Sequence, residues 1–293
     1  MTNNLPTMLL ISLIAGMGTG LGGLIAILTR PSRKLFGFLM GITSGVMISL
    51  AFLELVNEAW QLAGFVTATI GFGLGAGFML AIDFYAPHIR FGEREVREGD
   101  CDEVPAEVGE LSQVMGKGKG LGPRDGRGRH HHFGLRYRQD RKINPALIKS
   151  GLLIATGIAI HNLPEGFAVG AGFSRSTEFG LFIAVAILLH NIPEGMATAL
   201  PLCEGGMVRR DALKASILSG LVEPLGALLA AGFLTMFEGL LPGALAFAGG
   251  VMVFITLDEL IPAAREHGHH HMTAMGIILG AMFVFVLSGL FGV

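Results

Sequence analysis

HNLPEGFAVG, residues 161–170, and HNIPEGMATA, residues 190–199, are near-copies of one phrase, and each lies inside an apolar stretch of helix length. A histidine, an asparagine and a glutamate are costly at membrane depth, so a chain that keeps all three there, twice, has a task for them. Around the phrases, 51% of the 293 residues are hydrophobic and only 15% charged, with the charges gathered in a few segments. This is membrane composition, and about 20 apolar residues cross a bilayer. The reading is an all-α membrane protein of eight transmembrane helices: Leu5–Leu28, Leu35–Val56, Gly64–Ala86, Ala146–Phe173, Phe179–Leu202, Leu213–Phe237, Leu240–Ala264 and Met272–Phe291. The first has neither a basic leader nor a small-x-small cleavage site, so it is expected to be retained.

Basic residues set the orientation, because cytoplasmic loops keep lysine and arginine. Of the 21 present, all but Arg175 fall in or beside the loops after spans one, three, five and seven. Both termini are therefore expected outside. The loop from Pro87 to Asn144 is rich in glycine and in charges of both signs, and is expected to be a flexible cytoplasmic segment within a single transmembrane domain that fills 1–293. Its charges nearly cancel, the net charge is −2, and no nucleic-acid footprint is visible. Cys101 and Cys203 both fall on the cytoplasmic side, without zinc-site spacing, and read as unpaired thiols. The histidines at 130–132, 267 and 269–271 either hold passing metal weakly or are simply tolerated in polar loops.

An internal repeat adds a second layer. GVMISLAFLELVNEA from Gly45 and GVMVFITLDELIPAA from Gly250 share Gly45, Val46, Met47, Glu54, Leu55 and Ala59 with their counterparts, in spans that run oppositely. The expected architecture is an inverted repeat of helices one to three and six to eight around helices four and five, the pattern of alternating-access carriers with a midplane substrate site. Glycines 71, 73, 75 and 77 in span three suit either sliding surfaces or static close packing.

On a helix, Glu165 projects between His161, four residues earlier, and Asn162, three earlier; His190, Asn191 and Glu194 repeat this spacing. Pro164 and Pro193 are expected to kink the two helices and free a carbonyl in each. Two imidazoles, two amide oxygens and two carboxylates suit a borderline dication such as zinc or ferrous iron. Glu223 is a third intramembrane carboxylate, with a protonated hydrogen-bonding acid as its plainer reading.

The paired HNxPEG, SGLVEPLGA around Glu223 and LDELIPAA around Asp258 resemble the ZIP family of divalent metal transporters, near its bacterial zinc-uptake branch, over all eight spans. The resemblance implies an eight-helix carrier in a bacterial cytoplasmic (inner) membrane with outward termini, frequently a homodimer, holding metal between the fourth and fifth helices. It implies one site of His161, Glu165, His190 and Glu194 with Met47 at its edge, and a second of Asn162, Asn191 and Glu223 that shares Glu165 and Glu194. The metal, zinc first and then iron, manganese, cobalt and cadmium, is substrate and not a catalytic cofactor. Met47 reads equally as core filler.

Glu54 is expected as an entrance station and Asp258 and Glu259 as exit stations, with Asp83 and His88 at the inner end of span three, although acidic residues at helix ends are commonly just solvated. Protons and dications compete for the same carboxylates and imidazoles, so uptake is expected to weaken in acid. The rival readings are a passive metal-selective channel and a membrane-embedded metal-dependent hydrolase. No HExxH stands in the chain, and hydrolysis has no use for an inverted pairing.

Overall fold

The computed structural model describes residues 5–85, 143–267 and 270–293. His88, Cys101, the histidines at 130–132 and 269, and nearly all of the 87–144 segment lie outside them. Everything folded here is helical: α1 (Leu5–Thr29), α2 (Arg33–Ser49), a π-helical segment (Leu50–Val56), α3 (Asn57–Tyr85), α4 (Pro145–Arg175), α5 (Thr177–Glu204), α6 (Arg209–Gly220), α7 (Glu223–Met236), α8 (Leu241–Ile255), a second π-helical segment (Thr256–Leu260), α9 (Ile261–His267) and α10 (His270–Phe291).

Counted as continuous runs among the described residues, seven helices are long and apolar enough to cross a bilayer. One of them, Arg33–Phe84, has 52 residues, with Gly64 leaving helical geometry at φ 80° and ψ 170°. That left-handed position suits glycine, which carries no Cβ to collide there. The helical stretch Asn57–Ala63 lies where the sequence reading left a gap between spans two and three.

Large apolar side chains point outward, with Leu28 70%, Leu74 63% and Leu290 78% exposed, while Glu165, Glu194 and Glu223 are fully enclosed. Water would reverse that arrangement; hydrocarbon tolerates it. Helix ends are capped locally. Asn144 Oδ1 accepts from the amides of Ala146 and Leu147, at 3.1 and 3.3 Å, with Pro145 in the first turn. Ser176, alone between α4 and α5, accepts from Phe179 N at 3.1 Å. A one-residue link forces α4 and α5 into an antiparallel pair, which sets the two HNxPEG phrases face to face.

Packing falls into two groups. Helices α1, α4, α5, α6 and α7 press against one another, and α2 lies on α10 as α3 lies on α8. Close approach in the first group depends on glycine. A Cβ at Gly166 would strike the Glu223 carbonyl, and one at Gly195 the Thr19 carbonyl; Gly226 meets Leu163 and Gly22 meets Ile192 in the same way. In α3, Gly71 and Gly75 pack on α8, whereas Gly73 and Gly77 face open space.

Two features depart from the sequence reading. The span expected as continuous from Leu213 to Phe237 breaks at Leu221 and Val222, because Pro224 has no N–H to give the Gly220 carbonyl and its ring crowds that carbonyl. Pro164 and Pro193 sit inside helices that run on past them. The repeat phrases each carry a π-helical segment over their shared glutamate, around Glu54 and around Glu259. Such bulges insert a residue into the helical ladder and gather at functional positions.

Candidate metal centre

His161, Asn162 and Glu165 of α4 and His190, Asn191 and Glu194 of α5 are all buried, each no more than 1% exposed. The two antiparallel helices turn their i, i+1, i+4 faces toward a shared interior. Ligand-capable atoms of Glu165, His190 and Glu194 lie within 4.8 Å of one another. Atoms that each sit about 2.0–2.2 Å from one ion lie at most about 4.4 Å apart, so small side-chain adjustments close this trio on a single dication.

Hydrogen bonding within the trio is incomplete. His190 Nε2 stands 3.2 Å from Glu165 Oε1 without the alignment of a hydrogen bond. Neither oxygen of Glu165 or of Glu194 has a hydrogen-bond partner among the described residues. Buried carboxylates in that condition are costly unless something positively charged or protic joins them, and an ion held by both would supply the missing charge.

The helical spacing placed Glu165 with His161, but the fold aims it across to α5. His161 Nε2 instead lies 3.0 Å from Glu259 Oε1, within the second π-helical segment. Glu259, expected only as an exit station, therefore touches a histidine of the centre. Both asparagines donate to neighbouring helices: Asn162 Nδ2 to the Ser219 carbonyl at 2.8 Å, and Asn191 Nδ2 to the Ala15 carbonyl at 3.0 Å and Glu223 Oε2 at 2.9 Å. Their amide oxygens, with Glu223 Oε1, have no hydrogen-bond partner among the described residues. Amide and carboxylate oxygens are hard and imidazole is borderline, a mixture of donor types suited to first-row dications.

The remaining candidates scatter. Met47 is fully buried in the apolar core, one turn from Thr43, whose Oγ1 donates to the His190 carbonyl at 3.4 Å. Glu54 is buried within the first π-helical segment, while Asp258 and Asp83 are partly exposed. A cavity of about 700 Å³ opens elsewhere, where α1 and α5 end and α6 begins. Arg30, Arg209 and Arg210 line it against a single carboxylate, Glu204, so its lining is net positive and ill suited to a cation.

Comparison with known proteins agrees with this chemistry. A family model described as ZIP Zinc transporter matches residues 5–288. The chain is 37% identical to a zinc transporter ZupT of Akkermansia muciniphila and 34% identical to a zinc transporter ZupT of Chlorobium limicola, in both cases over 95% of each chain. It is 33% identical to the zinc transporter ZTP29 of Arabidopsis thaliana, over 92% of this chain and 89% of that one. Matched from the first helix into the last, with the paired HNxPEG phrases inside the matched span, this chain belongs to the ZIP family of zinc transporters.

Proposed function

We propose that this protein carries divalent transition-metal cations, zinc foremost, into the cytoplasm by alternating access, the ion resting midway between α4 and α5. The observation that carries the reading is the convergence of Glu165, His190 and Glu194 with their carboxylate oxygens otherwise unpartnered. The protein is a transporter and not an enzyme, and the metal is its cargo. His161, Asn162, Asn191 and Glu223 complete the coordination sphere as the ion moves, with Met47 at its margin. Glu54 serves on the outer approach, and Glu259, Asp258 and Asp83 on the inner one. Oxygen and imidazole donors discriminate weakly among dications, so iron, manganese, cobalt and cadmium are expected to pass as well.

In this reading the 52-residue run counts as two crossings, because about 78 Å of helix exceeds the thickness of one bilayer more than twofold. That gives eight crossings, with outward termini by the basic-residue rule, and the resemblance to the family's bacterial branch suggests the inner membrane. The inverted repeat is supported by matched contacts that keep the same register throughout, α4 against α5 and α6–α7 against α1: Gly166 on Glu223 against Gly195 on Thr19, Gly226 on Leu163 against Gly22 on Ile192, and Asn162 on Ser219 against Asn191 on Ala15. Two groups of helices that pack mainly within themselves are suited to moving relative to each other around a held ion.

Zinc uptake into proteoliposomes, compared between the wild type and His161→Ala, Glu165→Ala and His190→Ala, tests the assignment. The expected result is saturable, temperature-dependent uptake that the substitutions remove; full flux in folded variants contradicts the site, and unsaturable flux favours a channel. Uptake is also expected to fall as the medium is taken from neutral pH toward pH 5, since protons occupy the same donors. A flat profile over that interval speaks against ligand competition.

A further inference from the structure

Thr19, in the middle of α1, is fully buried, and its Oγ1 has no hydrogen-bond partner among the described residues. This is unusual for a threonine in a helix, which ordinarily satisfies its hydroxyl on the carbonyl four residues back. Thr29, Thr67, Thr156, Thr198 and Thr256 all do so here. For Thr19 that acceptor is the Ala15 carbonyl, which already takes the Asn191 side-chain amide.

The matched contacts identify what Thr19 corresponds to. Its carbonyl meets Gly195 as the carbonyl of Glu223 meets Gly166. Its Cβ lies 3.2 Å from where Gly220 would carry a Cβ, and Glu223 Oε2 lies 3.1 Å from the same point on Gly16. Gly16 and Gly220 are themselves counterparts, each pressed against the other's carbonyl. Thr19 thus occupies on α1 the place that Glu223 occupies on α7. Glu223 accepts from Asn191 Nδ2, whereas Asn162, the counterpart of Asn191, donates to the Ser219 carbonyl and leaves the Thr19 hydroxyl without the corresponding bond.

We propose that the Thr19 hydroxyl is a further oxygen of the ion's path, set opposite Glu223 and offering a neutral lone pair to the dication or to a water it carries. The proposal rests on reading the α4–α5 cradle as the ion site. It assigns the two halves of the repeat unequal donors, an acid on α7 and an alcohol on α1. An alcohol oxygen left without a protein partner is what a hydrated or partly dehydrated cation engages.

The test measures zinc uptake against zinc concentration, together with thermal unfolding, for Thr19→Val, Thr19→Ser and Ser12→Ala. Valine keeps the shape and removes the hydroxyl. It is expected to raise KM about tenfold, the worth of one hydrogen-bond-strength contact, with Tm unchanged or higher because no internal bond is lost. Serine, which retains the oxygen, is expected to keep the wild-type KM. Ser12 is a second buried α1 residue whose hydroxyl lacks a partner among the described residues, so Ser12→Ala is expected to leave KM unmoved.

A wild-type KM in Thr19→Val overturns the proposal, as does a lowered Tm, an equal KM increase in Thr19→Ser, or an equal increase in Ser12→Ala. His190→Ala, assayed in parallel, keeps the two ideas apart. Loss of flux there with a wild-type KM in Thr19→Val removes Thr19 alone, whereas undiminished flux in both removes the cradle as well.

Discussion

Glu165→Gln is expected to lower zinc uptake about 100-fold or more, the upper end of what even groups behind a metal's direct ligands control, while leaving the protein folded. Glutamine keeps the shape of the side chain and removes its charge. In the folded protein that charge is fully enclosed, 3.2 Å from His190 without an aligned hydrogen bond, and its oxygens otherwise lack partners. An enclosed carboxylate without aligned hydrogen bonds is costly to keep in the empty protein, so the amide is expected to be neutral or stabilising for the fold. For a dication the same change deletes an anionic ligand shared between both proposed sites. Uptake and stability should therefore move apart, which a general packing defect would not produce. Proteoliposome uptake and thermal unfolding on the same preparation check this; unaltered uptake, or a parallel fall in both quantities, counts against it.

Gly166→Ala and Gly195→Ala are expected to be among the most damaging glycine substitutions, each costing about 1–3 kcal/mol of stability through overpacking and removing most transport. In both, the added methyl meets a backbone carbonyl, of Glu223 or of Thr19, and no rotamer change relieves that contact. The helices must part. Separating α4 from α7 carries Glu223 away from the Glu165 helix, and separating α5 from α1 strips Asn191 of the Ala15 carbonyl. Gly73→Ala and Gly77→Ala supply the contrast: their Cβ atoms meet nothing within 4 Å, and alanine is the better helix former. Unfolding midpoints in detergent across the four variants check the ordering, and equal stability in all four contradicts it.

What the sequence makes legible here is what hydrocarbon penalises. Polar triplets at His161 and His190 stand out because each must be justified at membrane depth, and the positions of the apolar stretches follow from bilayer thickness. The face of a helix is legible too, since spacing fixes it. Which neighbour that face meets is not. Glu165 shares a face with His161 yet reaches His190, and His161 reaches Glu259 from a segment distant in sequence. The pairing depends on how helices cross, and the crossings depend on glycine contacts whose partners no spacing rule names. The π-helical segments were equally hidden, because nothing in LAFLELV or TLDEL singles out an inserted residue. The repeat from Gly45 and Gly250 was the one signal that tied Glu54 to Glu259, and the two glutamates lie within these segments.

Transport as proposed requires a dication held between α4 and α5. Anomalous diffraction at the zinc absorption edge from zinc-soaked crystals tests it most directly. The expected result is a peak about 2.0–2.2 Å from His190 nitrogen and from carboxylate oxygens of Glu165 and Glu194. Peaks confined to surface histidines, with none beside that trio in fully soaked crystals, would contradict it.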